Sequence, residues 1–170
     1  MKNFDKHKIV VILAVISLVA FLFMPLFTIT DKAETMEIAP TGINALTAKM
    51  EVEVPNYGTR TIETDTDYAA YIFVIAIIVL VIAGLTQNVK LASTASIVGF
   101  IISLKSLVPS DSVYELHKQG GEYSVGISVW ICAICLGAAV YLVRSLSKEA
   151  AAEELPQEPA QEEIQEEVQQ

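Results

Sequence analysis

Four long apolar blocks, with the charged residues placed almost entirely between them, constrain this chain more than any other feature of its sequence. A soluble α/β protein would mix apolar and polar residues at periods of 2 or 3.6. Here the blocks cover residues 9–29, 69–85, 91–108 and 125–143. As a helix, the first block would be about 31 Å long, which matches the hydrocarbon core of a bilayer. The pattern predicts an all-α membrane bundle of four transmembrane helices.

The start of the chain also has the order of charges found in a signal peptide. Lys2, Lys6 and Lys8 precede the first block. The block is too long for the apolar region of a signal peptide, about 7–15 residues, and no Ala-x-Ala site follows it. We therefore predict a helix that is not cleaved. Pro25 should end it and let residues 26–30 continue as extended chain.

Short connections and small residues predict how the helices pack. Only residues 86–89 separate the second helix from the third, so these two should be antiparallel neighbours. Small residues let helix backbones approach closely in lipid. We expect such residues to line the bundle: Ala83, Gly84, Ala92, Ser96, Gly99, Cys135, Ala138 and Ala139.

The connection over residues 30–68, the first outer loop, has the character of β-structure. Residues 50–54 and 59–64 alternate around a turn, which predicts a hairpin. Residues 26–30 and 35–39 predict a second hairpin. We expect a small antiparallel sheet, built from this loop, to form an extracellular domain over the helix ends.

Two shorter features complete this outer region. Residues 41–47, between the hairpins, predict a short helix with Thr41 as its N-cap. The second outer loop, residues 109–124, offers further short strands at 113–116 and 122–123.

The distribution of lysine and arginine sets the predicted orientation. With the N-terminus inside, the inner basic residues are Lys2, Lys6, Lys8, Lys90, Arg144 and Lys148, and the outer ones are Lys32, Lys49, Arg60, Lys105 and Lys118. The inner charges adjoin the helices. We expect a plasma (inner) membrane protein with a cytoplasmic N-terminus and C-terminus, a membrane domain over residues 1–147, and a disordered acidic cytoplasmic tail over residues 148–170.

The layout resembles that of the claudin-like tetraspan proteins. Four helices, a β-rich first outer loop, a shorter second one and an inner tail carry this resemblance. The break at Phe23-Met24-Pro25-Leu26-Phe27, followed by Pro40-Thr41-Gly42-Ile43-Asn44-Ala45-Leu46, is similar to a class of small bacterial tetraspan proteins. The Trp and Cys pair of the claudin signature is absent from the first loop. Junction formation therefore does not carry over.

Cys132 and Cys135 form the only chemical motif, a CxxC within the fourth block. Membrane thiol and quinone oxidoreductases place such a pair near the outer surface. Against this, Cys132 should lie roughly 10 Å deep, where a thiol is inert, and a second Cys pair for relaying electrons is missing. We interpret both cysteines as small packing residues.

The remaining candidates also have structural explanations. Lys105, close to the end of its block, should extend to the interface, and His7 and His117 should lie on opposite sides of the membrane. The polar residues Ser93, Thr94, Ser96 and Ser103 could line a pore or a helix contact. The acidic residues Glu63, Asp65 and Asp67 could collect Ca²⁺, although a solvated strand end explains them better. Trp130 and Tyr123 should mark the outer interface.

These observations predict no catalytic, cofactor-binding or metal-ligating residue. The formal net charge of −9 and the lack of a basic face exclude nucleic-acid binding. We expect a non-enzymatic accessory or scaffolding subunit of the cell envelope, whose partners are the bilayer and other membrane or envelope proteins, with a homo-oligomer as a further arrangement. A small transporter or channel-like component is the alternative, and a thiol oxidoreductase is the third.

Overall fold

The computed structural model describes residues 3–30, 37–54, 58–63, 67–107 and 122–153. In chain order, its elements are α1 (Asn3–Phe23), β1 (Phe27–Thr30), β2 (Glu37–Ile38), α2 (Gly42–Thr47), β3 (Lys49–Val54), β4 (Gly58–Glu63), α3 (Tyr68–Leu85), α4 (Val89–Lys105), β5 (Glu122–Val125) and α5 (Ile127–Glu153). The predictions for residues 113–116, for Asp65 and His117, and for the tail beyond residue 153 lie outside the described residues.

The four long helices form one bundle. α1 and α4 each contact both α3 and α5. Three of the helices are long and apolar enough to cross a membrane, namely Asp5–Phe23, Tyr68–Leu85 and Ile127–Ala152. α4 has 17 residues and is therefore about 25 Å long.

The bundle has two distinct ends. We call the end that carries β1 and β5 the sheet end. The other end carries the start of α1 and the turn between α3 and α4. We call it the hairpin end after this helical hairpin, and not after the β-hairpins. In this turn Gln87 adopts a left-handed backbone conformation with φ 56°. The Asn88 side chain accepts a hydrogen bond from the Leu91 amide at 3.0 Å and so caps α4.

The interior of the bundle is filled by large apolar side chains, among them Phe73, Ile77, Leu80 and Leu136, each at most 2% exposed. The small residues predicted to line it are mostly buried. Buried members are Ala83, Gly84, Ala92, Ser96, Gly99 and Ala139. The prediction for Ala138 is wrong, because it is exposed, and Cys135 is only half-buried. The buried stripe of α5 runs instead through Cys132, Leu136, Ala139 and Val143.

Hydropathy located the four long helices but misplaced several of their ends. α1 begins at Asn3 rather than residue 9, and it ends at Phe23 because Pro25 follows. α5 continues to Glu153, ten residues past the predicted end at 143 and six residues into the predicted tail. Polar residues outside a bilayer can continue a helix, and Ala, Leu, Lys and Glu favour it. The other two helices start or end within three residues of their predicted ends.

The predicted hairpins and short helix are confirmed. β3 pairs with β4 from Lys49↔Glu63 to Val54↔Gly58, and β1 pairs with β2. α2 begins after Thr41, whose amide donates to the Asn44 side chain at 2.9 Å.

The prediction that one sheet arises from the first outer loop is wrong in two respects, the number of sheets and the origin of one strand. Two sheets form among the described residues, and the three-stranded one has the order β2-β1-β5. β5 comes from the second outer loop and pairs antiparallel with β1 from Phe27↔Val125 to Thr30↔Glu122. The strand predicted at residues 122–123 is therefore confirmed. Its partner β1 lies far away in the chain, so local alternation could not predict this pairing.

Gly126 provides a test of this packing. A Cβ on Gly126 would lie 2.0 Å from the Pro25 carbonyl oxygen, whereas one on Gly137 would lie 3.4 Å from the Phe100 ring. We expect Gly126→Ala to lower the free energy of unfolding by about 1–3 kcal/mol, the usual cost of overpacking. Gly137→Ala should be close to neutral. Thermal unfolding of both variants in mild detergent checks this, and equal unfolding temperatures would contradict the described contact.

Candidate functional site

The sheet end is organised around the break after α1. The Leu26 amide donates to the Pro40 carbonyl, and the Gly126 amide donates to the Leu26 carbonyl, both at 2.8 Å. The Ser128 hydroxyl donates to the Pro25 carbonyl at 2.5 Å. Backbone groups that Pro25 removes from the helix are therefore paired with two other parts of the chain. This pairing fixes β1 and β5 to the ends of α1 and α5.

A second contact holds the short helix α2 against the same end. A Cβ on Gly42 would lie 2.4 Å from the Phe21 carbonyl oxygen, so only glycine permits this approach. The Tyr71 hydroxyl donates to the Leu46 carbonyl at 2.6 Å and joins α3 to α2. The elements of the sheet end are thus anchored to α1, α3 and α5.

Beneath the sheet end lies a small pocket of about 30 Å³. The Phe21 and Phe73 rings, with centroids 4.6 Å apart, form part of its wall. Its polar lining is already engaged: the Ser103 hydroxyl donates to the Phe100 carbonyl at 2.7 Å, and the Asp67 carboxylate accepts from the Ala69 amide at 2.9 Å. Ser106 and Cys132 also line the pocket, and they donate to the Ile102 and Ser17 carbonyls.

The CxxC cysteines do not form a disulfide and differ in their environment. Cys132 is 2% exposed, and its thiol donates to the Ser17 carbonyl at 3.3 Å. Cys135 is half-buried. The location of Cys132 inside the bundle, against α1, is that of a packing residue.

The polar residues of α4 do not share one face. Ser96 and Ser103 are buried, while Thr94 is exposed. The Ser96 hydroxyl donates to the Ser93 carbonyl at 3.0 Å, and the Thr94 hydroxyl donates to the Lys90 carbonyl at 3.3 Å. The Thr94, Ser96 and Ser103 hydroxyls are therefore bonded within their own helix, as serine and threonine commonly are in helices.

The charged candidates are separated. Lys105 is exposed in the last turn of α4, at the sheet end. His7 is 6% exposed at the hairpin end. Glu63 is exposed in β4, and Asp67 caps α3. Among the described residues, no three His, Cys, Asp or Glu side chains are placed to hold a metal ion.

The two aromatic candidates have different surroundings. Trp130 is 52% exposed on the outside of α5 near the sheet end. Tyr123 in β5 is half-buried, with its ring centroid 6.0 Å from that of Phe27. Burial raises the pKa of the Tyr123 hydroxyl. The ring therefore stays neutral at physiological pH.

The sequence did not predict one polar contact at the hairpin end. Lys6 in α1 forms an ion pair with Glu149 in α5 and also donates to the Ser145 hydroxyl at 3.0 Å. Ser145 and Glu149 lie four residues apart on one helix face, and this spacing could have indicated a shared contact. The tail was predicted to begin near Glu149, so no helix was expected at this position.

No known protein family, characterised protein or solved structure matches this chain. Its interpretation therefore rests on the geometry described above.

The burial of Cys132 predicts slow alkylation. In single-cysteine variants, we expect a membrane-permeant maleimide to label Cys132 at least about tenfold more slowly than Cys135, because a closed site must open before reagent can enter. Both should react equally after unfolding in SDS, which serves as the control. Equal rates in the folded protein would show that Cys132 is accessible.

Proposed function

We propose that this chain is a non-enzymatic multi-pass membrane protein of the plasma (inner) membrane that acts as an accessory or scaffolding subunit of the cell envelope. In this proposal α1, α3, α4 and α5 all span the bilayer, both termini are cytoplasmic, and the sheet end faces outwards. The strands of the sheet end bind a protein partner.

The observation that carries the proposal is the attachment of the sheet to the helices. β1 and β5 pair over four residues each and are joined to α1 and α5 through the hydrogen bonds of Leu26 and Gly126. A surface held on rigid elements keeps its geometry and can bind a partner without a large cost of ordering. Such an arrangement suits recognition.

The pairing of β1 with β5 also supports the proposal that all four long helices span the bilayer. β1 follows α1, β5 precedes α5, and the two strands are paired. The chain leaves α3 at the hairpin end, so α4 must return along the bundle before β5 begins. Its length of about 25 Å is a little short of a hydrocarbon core of about 30 Å. Lys105 at its end can extend to the interface.

The bundle interior favours a structural role over the two alternatives. A channel would need an open polar path, whereas Ile77, Leu80 and Leu136 are completely buried. The buried Ser96 and Ser103 hydroxyls of α4 are bonded to carbonyls of their own helix. A thiol oxidoreductase would need an accessible thiolate. Cys132 is enclosed and bonded to the Ser17 carbonyl.

Cysteine labelling tests the topology. In a Cys132→Ala/Cys135→Ala background, Thr59→Cys and Ser147→Cys place single thiols at exposed positions at the two ends. An impermeant maleimide on intact cells should label only Thr59→Cys, and permeabilised cells supply the control in which both react. Labelling of Ser147→Cys alone would reverse the orientation. Labelling of both would mean that α4 does not span.

Co-purification tests the partner. The tagged full chain, extracted from its native membrane in mild detergent, should retain one protein at a fixed ratio. Thr59→Lys/Thr61→Lys changes two exposed positions on one face of β4 and should reduce the retained partner at least about tenfold, since interfacial charges without partners are costly. The matched control, Ser147→Lys/Ala150→Lys, changes two exposed positions of α5.

Two outcomes would count against this function. A lone protein or a homo-oligomer would contradict the accessory role and favour transport. Equal loss in both double variants would mean that the sheet end is not the binding surface.

A further inference from the structure

At the hairpin end an open groove of about 320 Å³ runs between α1 and α3. Its lining residues are His7, Lys8, Val11, Ile12, Gly84, Leu85 and Gln87. Small-molecule sites in proteins commonly have volumes of about 300–1,000 Å³. The groove is therefore large enough to accept part of a lipid.

The floor of the groove depends on Gly84. A Cβ at this position would lie 2.5 Å from the Val11 side chain. The missing side chain lets α1 and α3 approach here, while Ile12 and Leu85 remain 56% and 70% exposed. These side chains give the groove an apolar wall that suits an acyl chain and does not suit a small soluble anion.

The polar lining lies towards the helix termini. His7 is 6% exposed and lines the groove. An imidazole N–H that lines the groove can donate a hydrogen bond to an acceptor on a ligand. Lys8 also lines the groove, and Lys90 is exposed in the first turn of α4, three residues after Gln87.

We propose that this groove binds an anionic phospholipid from the membrane leaflet at the hairpin end. The phosphate group accepts a hydrogen bond from His7 and lies in the positive field of Lys8 and Lys90, while an acyl chain packs along Ile12 and Leu85. Basic pockets between transmembrane helices bind anionic headgroups in this way. The inference rests on the proposed membrane insertion, which the labelling test checks independently.

The test uses the full chain in mild detergent, with bound lipid counted by native mass spectrometry. Phosphatidylglycerol and phosphatidylcholine with identical acyl chains are compared. We expect phosphatidylglycerol to bind at least about tenfold more tightly. The preference should be lost in His7→Phe and in Lys8→Gln/Lys90→Gln. Ile12→Trp should weaken the binding of both lipids, because the larger side chain fills part of the groove.

The matched control is Lys105→Gln, which removes one exposed charge at the sheet end and should preserve the preference. Equal binding of the two lipids, or a preference that survives both sets of changes, would overturn the proposal. Full competition by glycerol phosphate would assign the site to a soluble phosphate instead. A chain that dimerises and binds no lipid would assign the groove to a second copy, again against the proposal.

Discussion

The backbone groups around Pro25 are the constraint on which the arrangement of this protein depends. Proline ends α1, and the peptide groups that follow no longer have partners within a helix. Near a membrane such groups must be satisfied by other parts of the protein. Pro40, Gly126 and Ser128 supply these partners. The break in one helix therefore brings two distant segments of the chain to its end.

This arrangement explains why glycine occupies two positions at the sheet end. Gly126 lies against the Pro25 carbonyl, and Gly42 lies against the Phe21 carbonyl. At both positions a side chain would occupy the space of a backbone oxygen. The strands and α2 can then contact the helix ends directly, and a surface made of extended chain moves with the bundle rather than independently of it.

Sequence patterns predicted individual elements well and their boundaries less well. The alternation on both sides of residues 55–58 marked β3 and β4, and Pro25 marked the end of α1. The start of α1 and the end of α5 were missed because both helices continue beyond their apolar blocks into polar residues. Lys6 and Glu149, both outside the apolar blocks, pair across those two helices. The groove beside His7 also could not be predicted, because it depends on the distance between α1 and α3.

By itself, the sequence determined that several long apolar segments would form helices and that the first outer loop would contain hairpins, since local periodicity and turn residues carry that information. The tertiary structure alone decided that β5 joins β1, that Cys132 is more deeply buried than Cys135, and that His7 lines a groove. The physical reason is that strand pairing and helix rotation depend on contacts between residues far apart in the chain, which no local pattern records.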